Sequence, residues 1–225
     1  MIVFLSLFFI LAYPGGAVWA GEIVGRVGAQ GKKGAEDVLH NQKYGSRKFK
    51  FMKRVNYSRM KDFVVYIDQD VPSFIESTSF VSQVVAHSKG KFVPHVLPVM
   101  VGGKIEWPNK DDLHHNAFSF SEAKAFDLGL YKNEVKSVVF DKPGRVDIFC
   151  SIHTSMHCIV LVLENPFFSS TDRRGRYRIR DIPAGKYRLR AWHERLPSQV
   201  KVVEVPEDGT VQVDFTLSVN DLPQY

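Results

Sequence analysis

Cys150-Ser151-Ile152-His153-Thr154-Ser155-Met156 strings a thiolate, an imidazole and a thioether onto one short loop. Two apolar runs frame it. Arg145-Val146-Asp147-Ile148-Phe149 alternates like a strand and stops at Cys150, and Ile159-Val160-Leu161-Val162-Leu163 runs on after Cys158. Soft sulfur donors favour copper over magnesium, calcium or manganese, and two imidazoles with one thiolate and a weak axial Met form a copper set suited to electron transfer. One imidazole is missing from the loop.

The candidate for it lies upstream, in Asp111-Asp112-Leu113-His114-His115-Asn116-Ala117-Phe118-Ser119-Phe120, a histidine pair leading into an alternating run. His-Asn before a strand, followed by an apolar strand ending in Cys-x-x-His-x-x-Met, resembles the cupredoxins, with the short ligand loop of the amicyanin type. Phe92-Val93-Pro94-His95, Trp107-Pro108-Asn109, Phe118-Ser119-Phe120-Ser121 and Phe126-Asp127-Leu128-Gly129 also resemble the cupredoxin-like proteins often labelled methylamine-utilisation proteins. The resemblance covers residues 92–164. It implies a β-sandwich with one type 1 copper site whose ligands are His115, Cys150, His153 and Met156. His115 matches because it directly precedes Asn116, while His114 falls where other members carry Pro or another residue. The same resemblance implies a hydrogen bond from the Asn116 backbone to the Cys150 sulfur. It also makes the His153 edge, rimmed by Ile152, Thr154 and Pro94, the electron port. The implied function is that of an electron carrier, not a catalyst, meeting a transient redox partner. Redox encounters are small, and the chain's positive balance suits an acidic partner.

Each of these residues also has an ordinary reading. The chain has two cysteines, and an even count in an exported protein reads as a disulfide. A Cys150–Cys158 bridge across the base of the loop would take the thiolate from the metal, whereas the copper reading leaves Cys158 as a small buried thiol. Zinc also suits Cys and His, but its structural sites are closed tetrahedra that rarely recruit Met, so Met156 discriminates. A copper carrier or storage protein would use the same donors, and a copper-free binding or scaffold sandwich is the structural alternative. An oxidase is disfavoured, because the His-x-His pairs of additional copper centres are absent from the sequence.

At 225 residues, with an apolar share of 44% and a net charge of +6, the chain can bury a real core in one or two domains. Residues 1–20 open with an apolar run and reach small or permissive residues at Val18 and Ala20, the pattern of an export signal cleaved after Ala20, although no Lys or Arg precedes the run. The uninterrupted apolar part is shorter than the roughly 20 residues a spanning helix needs, and nothing later is long enough to span. The expected location is the periplasm or another exported compartment. Gly21-Glu22-Ile23-Val24-Gly25-Arg26-Val27 alternates as a first strand, and Asp62-Phe63-Val64-Val65-Tyr66-Ile67 is a short buried-type strand. Between them the segment from Ser46 to Lys61 interleaves basic residues with Phe49, Phe51 and Tyr57. Such a pattern can bind nucleic acid, but export argues against it, and a solvated strand face is the ordinary reading. His40, His87 and His95 read as surface or supporting histidines, and His193, beside Trp192, as a packed one.

The chain changes character at Asn165-Pro166. Thr171-Asp172-Arg173-Arg174-Gly175-Arg176-Tyr177 and Pro183-Ala184-Gly185-Lys186-Tyr187 are turns into strands that resemble the carboxypeptidase regulatory-like modules, transthyretin-shaped β-sandwiches. That likeness implies no peptidase activity, since no His-Glu-x-x-His occurs. The expected fold is therefore all-β: a cupredoxin-type Greek-key sandwich over residues 91–165 and a small regulatory-like sandwich from residues 166–225. The latter is short for an independent sandwich. Residues 21–90 form an amino-terminal β segment, and its strands at Gly21–Val27 and Phe63–Ile67 are expected to complete the carboxy-terminal module, with the cupredoxin inserted between the two halves.

Overall fold

The computed structural model describes residues 20–31, 56–71 and 82–219. The expected export signal, apart from Ala20, lies outside the described residues, as do His40 and the basic residues between Ser46 and Val55. No helix among the described residues is long and apolar enough to cross a membrane.

The structure is built of strands. In chain order they are β1 (Gly21–Gln30), β2 (Val64–Ile67), β3 (Gln83–Val84), β4 (Ala86–His87), β5 (Phe92–Val93) and β6 (Val96–Met100). Next come β7 (Gly103–Pro108), β8 (Phe118–Ser121), β9 (Lys124–Asp127), β10 (Val135–Phe140), β11 (Gly144–Phe149) and β12 (His157–Leu163). The last six are β13 (Phe168–Ser170), β14 (Arg176–Ile182), β15 (Gly185–His193), β16 (Leu196–Val205), β17 (Thr210–Gln212) and β18 (Phe215–Ser218).

They form two sandwiches. In the first, a sheet ordered β10-β7-β3 packs on one ordered β6-β12-β11-β8-β9. The core between them holds Ile105 and Trp107 from β7, Phe140 from β10, Val146 and Ile148 from β11, and Val160 and Val162 from β12. Cys150, Met156 and Cys158 belong to the same core. In the second sandwich, β1 lies between β14 and β17 and also pairs with β18, while the facing sheet runs β13-β2-β15-β16. Ile23, Val65, Ile67, Ile179, Leu189 and Leu217 meet between those sheets. The pattern of β14 explains its placement: Tyr177 and Ile179 are buried while Arg176, Arg178 and Arg180 face solvent, the period-two alternation of a one-sided strand.

Both early strands thus pair with strands that follow the first sandwich in sequence. β1 runs antiparallel to β14 and parallel to β17 and β18, and β2 is antiparallel to β13 and β15. The junction at the amino-terminal side differs from the one expected after residue 90. β3 pairs with β7 and β4 pairs with β5, so the first sandwich already begins at Gln83, and a boundary after residue 90 would cut the β4–β5 hairpin. These strands are two residues each, so the apolar run that leads to His87 does not show in the sequence which sandwich it joins.

The two sandwiches share an apolar seam on β12, a strand buried on both faces. Cys158, Val160 and Val162 point into the first core. Ile159, Leu161 and Leu163 point the other way, clustering with Val64 and Val96 and against Tyr66, Phe168 and Trp192.

Candidate metal centre

The loop between β11 and β12 is wound tightly by its own backbone. The Met156 N–H donates to the His153 carbonyl at 2.9 Å, and the Cys150 N–H donates to the Met156 carbonyl at 3.3 Å. A second loop, between β7 and β8, supplies His115. Its backbone exchanges hydrogen bonds with Tyr131, at 3.1 Å and 2.9 Å, and Asn109 pins the loop by donating to the carbonyls of Leu113 and Tyr131.

These two loops bring three donor atoms together. His115 Nδ1 lies 3.0 Å from His153 Nδ1, and Cys150 Sγ lies 4.0 Å from the first and 3.7 Å from the second. The three atoms lie within 4.8 Å of one another, a group that could hold a metal ion. His115 and Cys150 are buried, whereas His153 is half-buried and its neighbour Ile152 is exposed. Met156 is 1% exposed and packs in the same core as Cys150. Of the histidine pair, His114 is exposed and takes no part in the group.

Asp111 sets the tautomer of His115. Its carboxylate oxygen sits 3.0 Å from His115 Nε2, so that nitrogen carries the hydrogen and Nδ1 turns a lone pair toward Cys150 and His153. A carboxylate on the outer nitrogen is the usual support of a metal-binding imidazole. Burial works to raise the Asp111 carboxyl, but hydrogen bonds from the backbone of Gly90 and Lys89 and from His115 outweigh it and hold it below its ordinary range. Those backbone donors belong to the turn of the β4–β5 hairpin, Lys89 at 2.6 Å and Gly90 at 2.9 Å. Sequence reading missed Asp111. The available signal was an acidic residue four positions ahead of His115.

Asn116 holds the ligand loop through its side chain. Its Oδ1 accepts from the Ser151 backbone N–H at 2.8 Å and from the Ser151 hydroxyl at 3.0 Å, and its Nδ2 donates to Asp127 at 3.2 Å. Behind the site, the Tyr131 hydroxyl lies 3.0 Å from His87 Nε2 and donates to the Trp107 carbonyl at 2.9 Å. His87 is fully buried with its Nδ1 unpartnered, and burial, followed by the nearby charge of His115, lowers its pKa to about 4. Both cysteines are free thiols; burial pushes the Cys158 thiol well up, which makes it inert. His193 is packed against Phe63 with ring centroids 4.9 Å apart, and its Nδ1 accepts from the Arg195 backbone.

The donor set fits copper on its own chemistry: two inward nitrogens and one sulfur, with a thioether-bearing residue closing the same loop. Comparison with solved structures finds a copper-containing nitrite reductase from Thermus scotoductus SA-01, 28% identical, with a TM-score of 0.37, over 43% of this chain and 26% of that one. The chain therefore spans about a quarter of that enzyme. A reduced Cu(I) amicyanin variant is 24% identical with a TM-score of 0.35, over 44% of this chain and 98% of that one. A second Cu(I) amicyanin variant is 26% identical at the same TM-score, covering 36% and 82%. At such scores the site is read from its own atoms alone. No curated protein matches the chain. Residues 163–218 match the model of the carboxypeptidase regulatory-like domain, so the part of the chain that follows the ligand loop is similar to that domain.

Proposed function

We propose that the chain is an exported type 1 copper protein that carries single electrons between redox partners. The observation that supports this most directly is the convergence of His115 Nδ1, His153 Nδ1 and Cys150 Sγ at one end of a sandwich. Bound copper supplies a one-electron couple between Cu(I) and Cu(II). The chain's own residues do the rest. His115, Cys150 and His153 would hold the ion, with the Met156 thioether as a further weak donor from the same loop. Asp111 keeps the His115 lone pair inward, and Asn116 fixes the start of the loop through Ser151. Two separate loops, each tied by backbone hydrogen bonds, limit how far the donors move between oxidation states. His153 is the ligand nearest solvent, and exposed Leu113, Leu130 and Ile152 stand close in sequence to His115, Tyr131 and His153. That edge suits a small transient contact with a redox partner, and the net charge of +6 favours an acidic one.

The test is a visible spectrum of the Cu(II)-loaded protein beside a Cys150→Ser variant, with a thiol assay on the metal-free chain. The expected result is an intense thiolate-to-copper band toward the red, absent from the variant. Absence of the band in the parent protein, with Cys150 and Cys158 joined, would overturn the proposal and leave a scaffold of two sandwiches.

A further inference from the structure

A second cluster of donors lies where the two sandwiches meet, and no residue of it belongs to the Cys150 centre. His95, in the turn between β5 and β6, and His157, at the start of β12, come from the first sandwich. Glu194, in the turn between β15 and β16, comes from the second. One ring nitrogen of each histidine and a Glu194 oxygen lie within 4.8 Å of one another.

The hydrogen bonds around this cluster set its protonation. His95 Nδ1 lies 3.1 Å from the His157 carbonyl oxygen, which only accepts, so Nδ1 carries the hydrogen. His95 Nε2 then holds the lone pair, and it faces Glu194 Oε1 at 3.1 Å. With that tautomer two acceptors face each other there, an arrangement completed by a cation or a proton between them. On His157, the Asp147 carboxylate takes the Nε2–H at 2.9 Å, which leaves Nδ1 as the lone-pair nitrogen. His95 thus has its outer nitrogen bound to a carbonyl, and one nitrogen of His157 is bound to a carboxylate, the kind of support that metal-binding histidines typically have. A tetrahedral ion with ligand distances of about 2.0–2.2 Å spans neighbouring donors by about 3.3 Å, close to the His95–Glu194 separation.

Two carboxylates border the cluster: Asp147, which Arg145 pairs with in bidentate fashion at 2.8 Å and 2.7 Å, and Glu194, whose oxygen faces His95. His95, His157 and Glu194 are all half-buried, so an entering ion loses part of its water while a path to solvent stays open.

We propose that His95, His157 and Glu194 form a second metal site for a divalent, imidazole-binding cation such as zinc, clamping the two sandwiches together. Two nitrogens and one carboxylate oxygen suit zinc and leave a position for water. The site does not depend on whether the Cys150 centre takes copper.

The test is zinc titration of the full chain, with bound metal counted after gel filtration, in the parent protein and in Cys150→Ser, His95→Gln and Glu194→Gln variants. Zinc at the clamp survives Cys150→Ser and is bound at least a hundredfold more weakly in both other variants, since loss of even an outer partner costs about 10–100-fold. Asp147→Asn falls within that range. Far-ultraviolet circular dichroism in a chelator establishes that each variant keeps its sheets, and added zinc raises the unfolding temperature of Cys150→Ser but not of the variant that combines Cys150→Ser with Glu194→Gln. Zinc that disappears with Cys150→Ser and is untouched by Glu194→Gln overturns the proposal, as does no bound zinc at all.

Discussion

At the scale of single residues, the site is a chain of hydrogen-bond assignments running outward from three donor atoms. Asp111 fixes the tautomer of His115, the β4–β5 turn fixes Asp111, and Asn109 fixes the loop that carries both. His87 completes this end of the core as a neutral imidazole, because burial disfavours its charged form and lowers its pKa from 6.5 to about 4. A base whose pKa is depressed on folding takes up its proton more readily in the unfolded chain. Its stabilising contribution is therefore fully present above pH 6.5 and is lost as pH falls from there toward 4. His87→Gln, which keeps a donor for the Tyr131 hydroxyl, should flatten this loss by up to about 1.4 kcal/mol per pH unit in the metal-free chain. Urea titrations at a series of pH values check it, and identical slopes in the two proteins would remove His87 as the source. The juxtaposition of His115, Cys150 and His153 was expected from the sequence, because Cys150 and His153 share one turn and the resemblance marks His115 by the His-Asn step before a strand. Asp111 was not, and His87, expected as a surface or supporting histidine, is fully buried, since their places come from a hairpin turn and a tyrosine hydroxyl that no local pattern announces.

Among the elements, β1 has the most demanding position, held between β14 on one side and β17 and β18 on the other. The strand changes partner near its middle: Glu22 to Val24 pair with β17, and Val27 to Gln30 pair with β18. Val213, between those partners, donates to the Val24 carbonyl at 2.8 Å, and its own carbonyl oxygen fills the place where a side chain on Gly25 would stand. Gly25 is therefore required by close backbone approach, not by a turn. Gly25→Ala should destabilise the protein by about 1–3 kcal/mol, the usual cost of overpacking, which a denaturation midpoint measures. No change in that midpoint would mean that β17 and β18 can move aside. The alternation of Gly21 to Val27 announced this strand, but its partners could be inferred only from the shortage of strands after residue 166. The β3, β4 and β5 strands, two residues each, lie in short apolar stretches whose partners no local pattern names.

Over the whole molecule, β12 is the element both sandwiches share, and its two buried faces explain why Ile159 to Leu163 is an unbroken apolar run. Such a run was readable as a buried strand, but the second face was invisible without the strands it meets. The same distance separates His95 from Glu194, 99 positions apart in sequence, so the proposed clamp emerges only when two sandwiches from different parts of the chain are packed together. The seam decides whether they unfold as one. Leu161 is 6% exposed and lies against residues of the second sandwich, away from the first core. Truncating it removes contacts between the sandwiches while leaving Val160 and Val162 in place. Leu161→Ala should cost about 2–5 kcal/mol, and much of that cost falls on the coupling and not on either core. Calorimetry of the metal-free parent should then give one transition, and the variant two, because each sandwich keeps its own set of buried residues. A single transition at lower temperature in the variant would instead mean that the chain crossings on either side of the first sandwich, before Gln83 and after Leu163, suffice to make the molecule one cooperative unit.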